Sequence, residues 1–415
     1  MKILWAICAC ICLVGPAYAD KPQSLRLEKA IALALEASPT IKGAQAEYGA
    51  AIGERRQAGA FLNPVIGFEA ENVSGSGAFK GTDSAELTAG VSQTFEIGGK
   101  RSARMKAADQ GQIIANYGQV TARLNLIRDI KAAFAQAVTA QEEAQIASEQ
   151  AKLARDMYQS VNKRVNAAAA PIMQRNKAKI LMTNAELMAE LAKGQKDSAF
   201  KMLTAFWHGQ PIAMVDTHDF YKITKPQART LNEQQLHESI DYKQRSASAE
   251  QANSFLDLER ANAIPDPTIG VAVRDFRASN DQALVASVSL PLPVFNQNRG
   301  NIERARQLAV KADTDRQKLL LDGHITLAER SQRLSNAWLT ATKTKATLLP
   351  EANEAYKQAK HGYNVGKFPY LEILDAQRTL METRLTYIRA LRDYHIEKAE
   401  VERMVATGNV TGETR

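Results

Sequence analysis

The side chains best equipped for chemistry are scattered along this chain or confined to its start. Six histidines (His208, His218, His237, His324, His361 and His395) are spread out, and no pair has the i, i+4 or short-loop spacing that brings two imidazoles onto one metal. His208 and His218 come nearest. The three cysteines, Cys8, Cys10 and Cys12, lie in a stretch that reads as a removable secretory leader over residues 1–19. Lys2 is its basic start, Ile3 to Val14 its apolar centre, and Ala17-Tyr18-Ala19 its small-residue cleavage site. A mature chain from Asp20 onward has no thiol, which excludes disulfides, thiolate-bound metal clusters and cysteine nucleophiles. No Gly-x-Ser-x-Gly elbow occurs, and Gly98-Gly99-Lys100-Arg101 lacks the spacing of a phosphate loop. The sequence therefore predicts no catalytic residue, no metal site, no cofactor and no enzyme. Carboxylates are common along the chain; two of them, Glu372 and Asp375, are three apart and share one helix face just after Pro369, where first-turn acids ordinarily favour the helix dipole.

Composition narrows the partners. Without the leader the 415-residue chain keeps 52 basic residues against 45 acidic ones, a mild excess. These charges alternate in sign, as at Glu28/Lys29, Arg128/Asp129/Lys131 and Glu382/Arg384, which marks solvated helix faces and not a nucleic-acid surface. Aromatic residues make up only 6% while alanines abound, which suits close helix contacts better than one thick core. No segment after the leader reaches the roughly 20 apolar residues of a spanning helix.

The elements that must position any site come in two copies. Pro64 in Asn63-Pro64-Val65-Ile66-Gly67 matches Pro267 in Asp266-Pro267-Thr268-Ile269-Gly270, and Pro171, Ala178 and Leu187 match Pro369, Ala376 and Leu385, at an offset of about 200 residues. The repeats are expected at 20–208 and 231–408, with a connector at 209–230 carrying Pro211 and Pro226, and a tail at 409–415. Each repeat opens with one helix, capped in the first by Ser24. A hairpin of period two follows, at 64–95 and 267–290. Ile66, Phe68, Leu87, Val91, Ile269, Val271, Leu284 and Val288 alternate with residues such as Gly67, Glu69, Glu71, Ser287 and Ser289. Long helices, each read as uninterrupted and without an internal proline, then run over 100–166 and 300–363, and return helices over 171–208 and 369–408. At 1.5 Å per residue the outgoing helices span roughly 100 Å. Gly98 and Gly99 read as a sharp strand-to-helix turn, with Lys100 and Arg101 near lipid headgroups or the helix start.

Four amphipathic strands cannot close a barrel alone, and an open edge in lipid strands its backbone groups. Two copies would give eight strands and a filled interior, three would give twelve and a lumen. A soluble β-sandwich would show the same alternation.

The opening Leu25-Arg26-Leu27-Glu28-Lys29-Ala30-Ile31 with Ser38-Pro39, the duplicated plan, and the tip Gly362-Tyr363-Asn364-Val365-Gly366 before Leu371-Glu372-Ile373-Leu374-Asp375-Ala376 together resemble the TolC family of outer-membrane efflux channels. Gln93-Thr94-Phe95-Glu96-Ile97-Gly98-Gly99-Lys100-Arg101 and Pro291-Leu292-Pro293-Val294-Phe295 resemble its heavy-metal, cobalt–zinc–cadmium branch. The resemblance implies a mainly α fold of long antiparallel coiled-coil helices plus four strands per chain. It implies a homotrimer that forms a twelve-stranded β-barrel in the outer membrane and an α-helical tunnel in the periplasm. The partners implied are a periplasmic adaptor, an inner-membrane RND-type pump and outer-membrane lipid. Glu372 and Asp375 fall on the pore constriction and Tyr363 and Lys367 on the gate. Asn166, Ala167, Pro171, Val365, Gly366 and Pro369 fall on the tips that dock the adaptor, and Ile66, Phe68, Leu87, Val91, Ile269, Val271, Leu284 and Val288 on the lipid face. The first tip, Val165-Asn166-Ala167-Ala168-Ala169-Ala170-Pro171, departs from the family pattern in having no carboxylate. Multidrug export by the same kind of duct, and a soluble periplasmic coiled-coil scaffold or adaptor, are the other readings open at this level.

Overall fold

A computed structural model describes residues 24–209, 211–226 and 233–407. The expected leader with its cysteines, part of the connector and the tail at 409–415 lie outside the described residues.

Each half follows the same course. The first contains α1 (Leu27–Ala37), α2 (Pro39–Ala58), β1 (Val65–Glu71), β2 (Glu86–Thr94), α3 (Lys100–Asn166) and α4 (Ile172–Thr204). The second contains α5 (Glu233–Glu238), α6 (Ile240–Asn262), β3 (Thr268–Phe276), β4 (Asp281–Ser289), α7 (Arg299–Lys343), α8 (Leu349–Asn364) and α9 (Tyr370–Met404).

The opening helix of each half is broken, not continuous, and a serine makes the break. Ser38 is the N-cap of α2, its hydroxyl accepting from the Ile41 N–H, with Pro39 in the first turn where a missing N–H costs nothing. Ser239 caps α6 in the same way, accepting from the Tyr242 N–H while donating to the Leu236 carbonyl. Ser24 is not a cap. The helix starts beyond Arg26, and Leu25 instead forms a parallel bridge with Val215 of the connector. The long helix of the second half is also interrupted: Pro350 cannot donate, and a π turn over Thr344–Leu348, closed by the Leu349 N–H on the Thr344 carbonyl, separates α7 from α8.

Small residues fill the helix contacts. Ala30, Ala34, Ala137, Val138, Ile130, Leu203 and Leu391 are fully buried at the centre of the main core. Their short side chains let α1, α3 and α9 approach closely, and each buried Leu or Ile adds about 2 kcal/mol of transfer free energy. The connector is fastened to this core. Gln141 clasps both the N–H and the carbonyl of Val215, Tyr221 donates to Glu142 at 2.6 Å, and His395 stacks on Phe220 and hydrogen-bonds its carbonyl. Burial pushes the His395 imidazole below its ordinary pKa and, together with Glu142, raises that of the Tyr221 hydroxyl.

The strands form one antiparallel sheet in the order β1-β2-β3-β4. Val91 lies opposite Ile66 on one side and Val271 on the other, Ile269 opposite Val288, and Val273 opposite Leu284, so these apolar residues, drawn from all four strands, share one face. The sheet curls toward the other face. Gly90 and Ala272 are so close there that a Cβ on Gly90 would lie 2.4 Å from that of Ala272, and only glycine admits this curvature.

Where sheet meets helix, Lys100 and Arg101 open α3, the second of the two places expected for them. Lys100 is buried there and pairs with Asp266 at 2.6 Å, while the other Asp266 oxygen accepts from the Ile97 N–H. Beside it Arg104 pairs with Glu96, whose carboxyl it holds below the usual range by hydrogen bonding, and Arg101 stacks over Phe61. Removing one member of a buried pair leaves the other charge uncompensated, at about 3 kcal/mol. Lys100→Met should therefore lower the thermal unfolding midpoint of the detergent-extracted protein measured by circular dichroism, whereas Lys100→Arg should retain most of it.

Candidate functional site

Two places can serve transport: the tips where the long helices turn back, and the sheet. Both tips use one backbone device. At the second, α8 ends with Gly366 at φ +76°, the Lys367 N–H reaching the Gly362 carbonyl (2.8 Å) and the Gly366 N–H that of Tyr363 (3.1 Å), before Pro369 starts α9. The first tip repeats it with Ala168 at φ +54°, the Ala169 N–H on the Arg164 carbonyl (2.8 Å) and the Ala168 N–H on that of Val165, before Pro171 starts α4. An L-residue in this left-handed conformation costs about 1–2 kcal/mol, so the first tip is held by its hydrogen bonds against local preference.

The structure places Asn166 at the end of α3, and Ala167, Pro171, Val365, Gly366, Lys367 and Pro369 on the exposed turns. Phe368 folds back on Gly362, where a Cβ would stand 2.2 Å from its ring. Glu372 and Asp375 are exposed on the first turns of α9, on either side of the fully buried Ile373. Asp375 borders a groove with Tyr370, Leu374 and Arg378 of its own helix and with Leu181 and Ala185 of α4. Tyr363 is separated from this exposed rim. Only 5% accessible, it sits in a small core with Val161 of α3, Ala178 of α4, Ala359 of α8, and Tyr370 and Ile373 of α9. Burial raises the pKa of the neighbouring Tyr370 to about 12. Above the Tyr363 ring lies Arg164, its guanidinium 5.3 Å from the centroid. Nothing in the sequence marks Arg164, since a cation in the last turn of a helix is ordinary dipole compensation.

In the sheet, the residues expected on the lipid face are all exposed, from Leu87 at 38% to Phe68 at 83%. The opposite, concave face carries Arg274, which pairs with Glu71 (2.8 Å) and Glu86 (2.9 Å) and donates to Thr88. The two outer strands, β1 and β4, are unpaired edges with exposed residues throughout most of their length. Among the described residues, no cluster of histidine and carboxylate side chains could hold a metal ion, and no helix is long and apolar enough to cross a membrane.

A curled sheet, apolar outside and polar inside, carried on helices of up to 67 residues, defines an outer-membrane duct that continues into the periplasm. The chain belongs to the outer membrane efflux protein family, whose pattern it matches over residues 30–208 and 231–407, as the resemblance to the TolC family led us to expect. It is a channel protein and not an enzyme. The cobalt-zinc-cadmium resistance protein CzcC of Cupriavidus metallidurans is 29% identical, over 92% of this chain and 90% of that protein. CusC, described in crystal structures of its folding and transmembrane channel formation, superposes with a TM-score of 0.78 at 17% identity, covering 92% of each chain. The outer membrane protein VceC of Vibrio cholerae does so with a TM-score of 0.75 at 18% identity, over 92% of this chain and 96% of that one. Membership of this family sets aside the soluble scaffold.

Proposed function

We propose that this protein is the outer-membrane duct of a heavy-metal cation efflux system. The observation that carries this reading is the full-length similarity to a cobalt-zinc-cadmium resistance protein, joined by nickel-cobalt-cadmium and nickel-cobalt resistance proteins at 26% identity. The working unit is a homotrimer. Four strands per chain alternate in direction, so β4 of one copy can pair antiparallel with β1 of the next, and three copies satisfy every edge in a twelve-stranded barrel with an open lumen. Ile66, Phe68, Leu87, Val91, Ile269, Val271, Leu284 and Val288 then meet lipid and the Arg274 network lines the water. Twelve helices continue the lumen as a periplasmic tunnel. Its tips at Asn166, Ala167, Pro171, Val365, Gly366 and Pro369 dock an adaptor, which couples the duct to an inner-membrane RND-type pump. Glu372 and Asp375 line the narrowest point and Tyr363 and Lys367 belong to the gate. Metal choice resides in the pump, and the duct is passive.

Deleting the gene in its host should lower the tolerated concentrations of cobalt, zinc and cadmium salts several-fold, with restoration by the intact chain. Lost tolerance to drugs with unchanged tolerance to these metals would make it a multidrug duct instead.

A further inference from the structure

We infer that Arg164 is the gate residue that clasps Tyr363, and that it does so through the face of the ring and not through the phenol hydroxyl. The inference rests on the duct reading above and deepens it at one contact. Tyr363 ends one helical hairpin of the chain, α8–α9, and Arg164 ends the other, α3–α4. The core around Tyr363 draws on both hairpins, so whatever holds that ring in place sets how closely the two tips approach. Lys367 belongs to the same turn as Tyr363, its N–H closing the Schellman hydrogen bond onto Gly362, so within the chain it does not reach across from the facing hairpin. Arg164 comes from the facing hairpin, and its backbone is fixed because its carbonyl takes the 2.8 Å bond from Ala169. Its guanidinium stands 5.3 Å over the ring centroid, within the range of a cation–π contact, and a planar cation suits an aromatic face better than an ammonium does.

The first tip explains why a ring contact is used. Residues 165–171 offer no carboxylate to accept from a tyrosine hydroxyl. The hydroxyl is dispensable in the arrangement observed, because the attraction comes from the quadrupole of the ring. A contact of this strength shifts an open-to-closed ratio by roughly two- to fivefold per clasp, and by about tenfold or more when three copies release together.

Conductance of the purified full-length protein in planar bilayers tests this, with unheated gel electrophoresis reporting assembly. Arg164→Gln and Tyr363→Leu should each raise conductance about tenfold or more, and the double variant should add nothing beyond either single one. Tyr363→Phe should stay at the wild-type level and Arg164→Lys should fall between. A Tyr363→Phe channel as open as Tyr363→Leu would assign the latch to the hydroxyl and overturn the inference. Unchanged conductance in Arg164→Gln would do the same. Wild-type protein that inserts no conducting channel would refute the duct itself, and the clasp with it.

Discussion

A Gly366→Trp chain is expected to reach the outer membrane and assemble, yet to confer no metal resistance. Gly366 holds φ +76° at the turn between α8 and α9, where both of its flanking hydrogen bonds depend on the left-handed backbone. A tryptophan there costs about 1–2 kcal/mol locally, too little to unfold a chain whose main core lies far up the helices. No atom lies within 4 Å of a Cβ added at this position, so the indole would not be absorbed by the fold and would project from the tip. If the tip docks an adaptor, three such rings block it. Gly366→Asn separates the two effects, because asparagine tolerates the left-handed region and adds little bulk; it should keep resistance within a few-fold of wild type. Growth on graded cadmium, with trimer checked on unheated gels, reads both variants. Full resistance in Gly366→Trp would remove this turn from the docking surface.

Much of this architecture could be read from residue types because the physics that sets it is local. Alternation in Ile66-Gly67-Phe68-Glu69 is a statement about strand geometry, and a register that aligns four such strands puts Ile66, Phe68, Leu87, Val91, Ile269, Val271, Leu284 and Val288 on one face. The tips were legible for a related reason: Pro171 and Pro369 follow their helices by the few residues that a left-handed C-terminal turn needs. The breaks were missed where one local signal outvoted another. Ser38-Pro39 is itself a cap followed by a first-turn proline, but the apolar spacing through Leu27, Ile31 and Leu35 favours continuity and places the cap at Ser24. Pro350 carries the signal for the π turn, inside a span whose reading as free of internal proline was wrong.

Other features depend on contacts that no local pattern encodes. Lys100 looks like a surface cation beside Arg101, and only the arrival of Asp266, from the other repeat, makes it a buried ion pair. Arg164 meets Tyr363 across almost half the chain. Both interactions join the two copies of the plan. The repeats could be aligned from their prolines, but the places where they hold each other could not, because the two copies have diverged at those positions. Arg164 standing where its counterpart is Gly362 is the plainest instance.

Glu372→Gln combined with Asp375→Asn should abolish most of the preference of the channel for cations over anions. Both carboxylates are exposed on the first turns of α9, and Ile373 between them is fully buried, so the helix is fixed and its acidic residues face outward from the packed core. If they line the pore as proposed, threefold symmetry brings six of them around one axis. A carboxylate about 8 Å from a passing monovalent cation contributes about 2 kcal/mol at an effective dielectric near 20, and opposes an anion equally. Several such terms, screened by salt, leave a selectivity on the order of tenfold or more at low ionic strength. The amides keep shape and hydrogen-bonding capacity while removing the charge, so conductance should change far less than selectivity. Reversal potentials across a potassium chloride gradient measure this directly. The double variant should move toward zero potential, and the wild-type value should itself shrink as salt is raised, because screening acts on the same charges. If the wild type is cation-selective and the double variant equally so, the selectivity filter is not at α9, and the carboxylates lining the concave face of the sheet, Glu69, Glu71 and Glu86, become the next to neutralise.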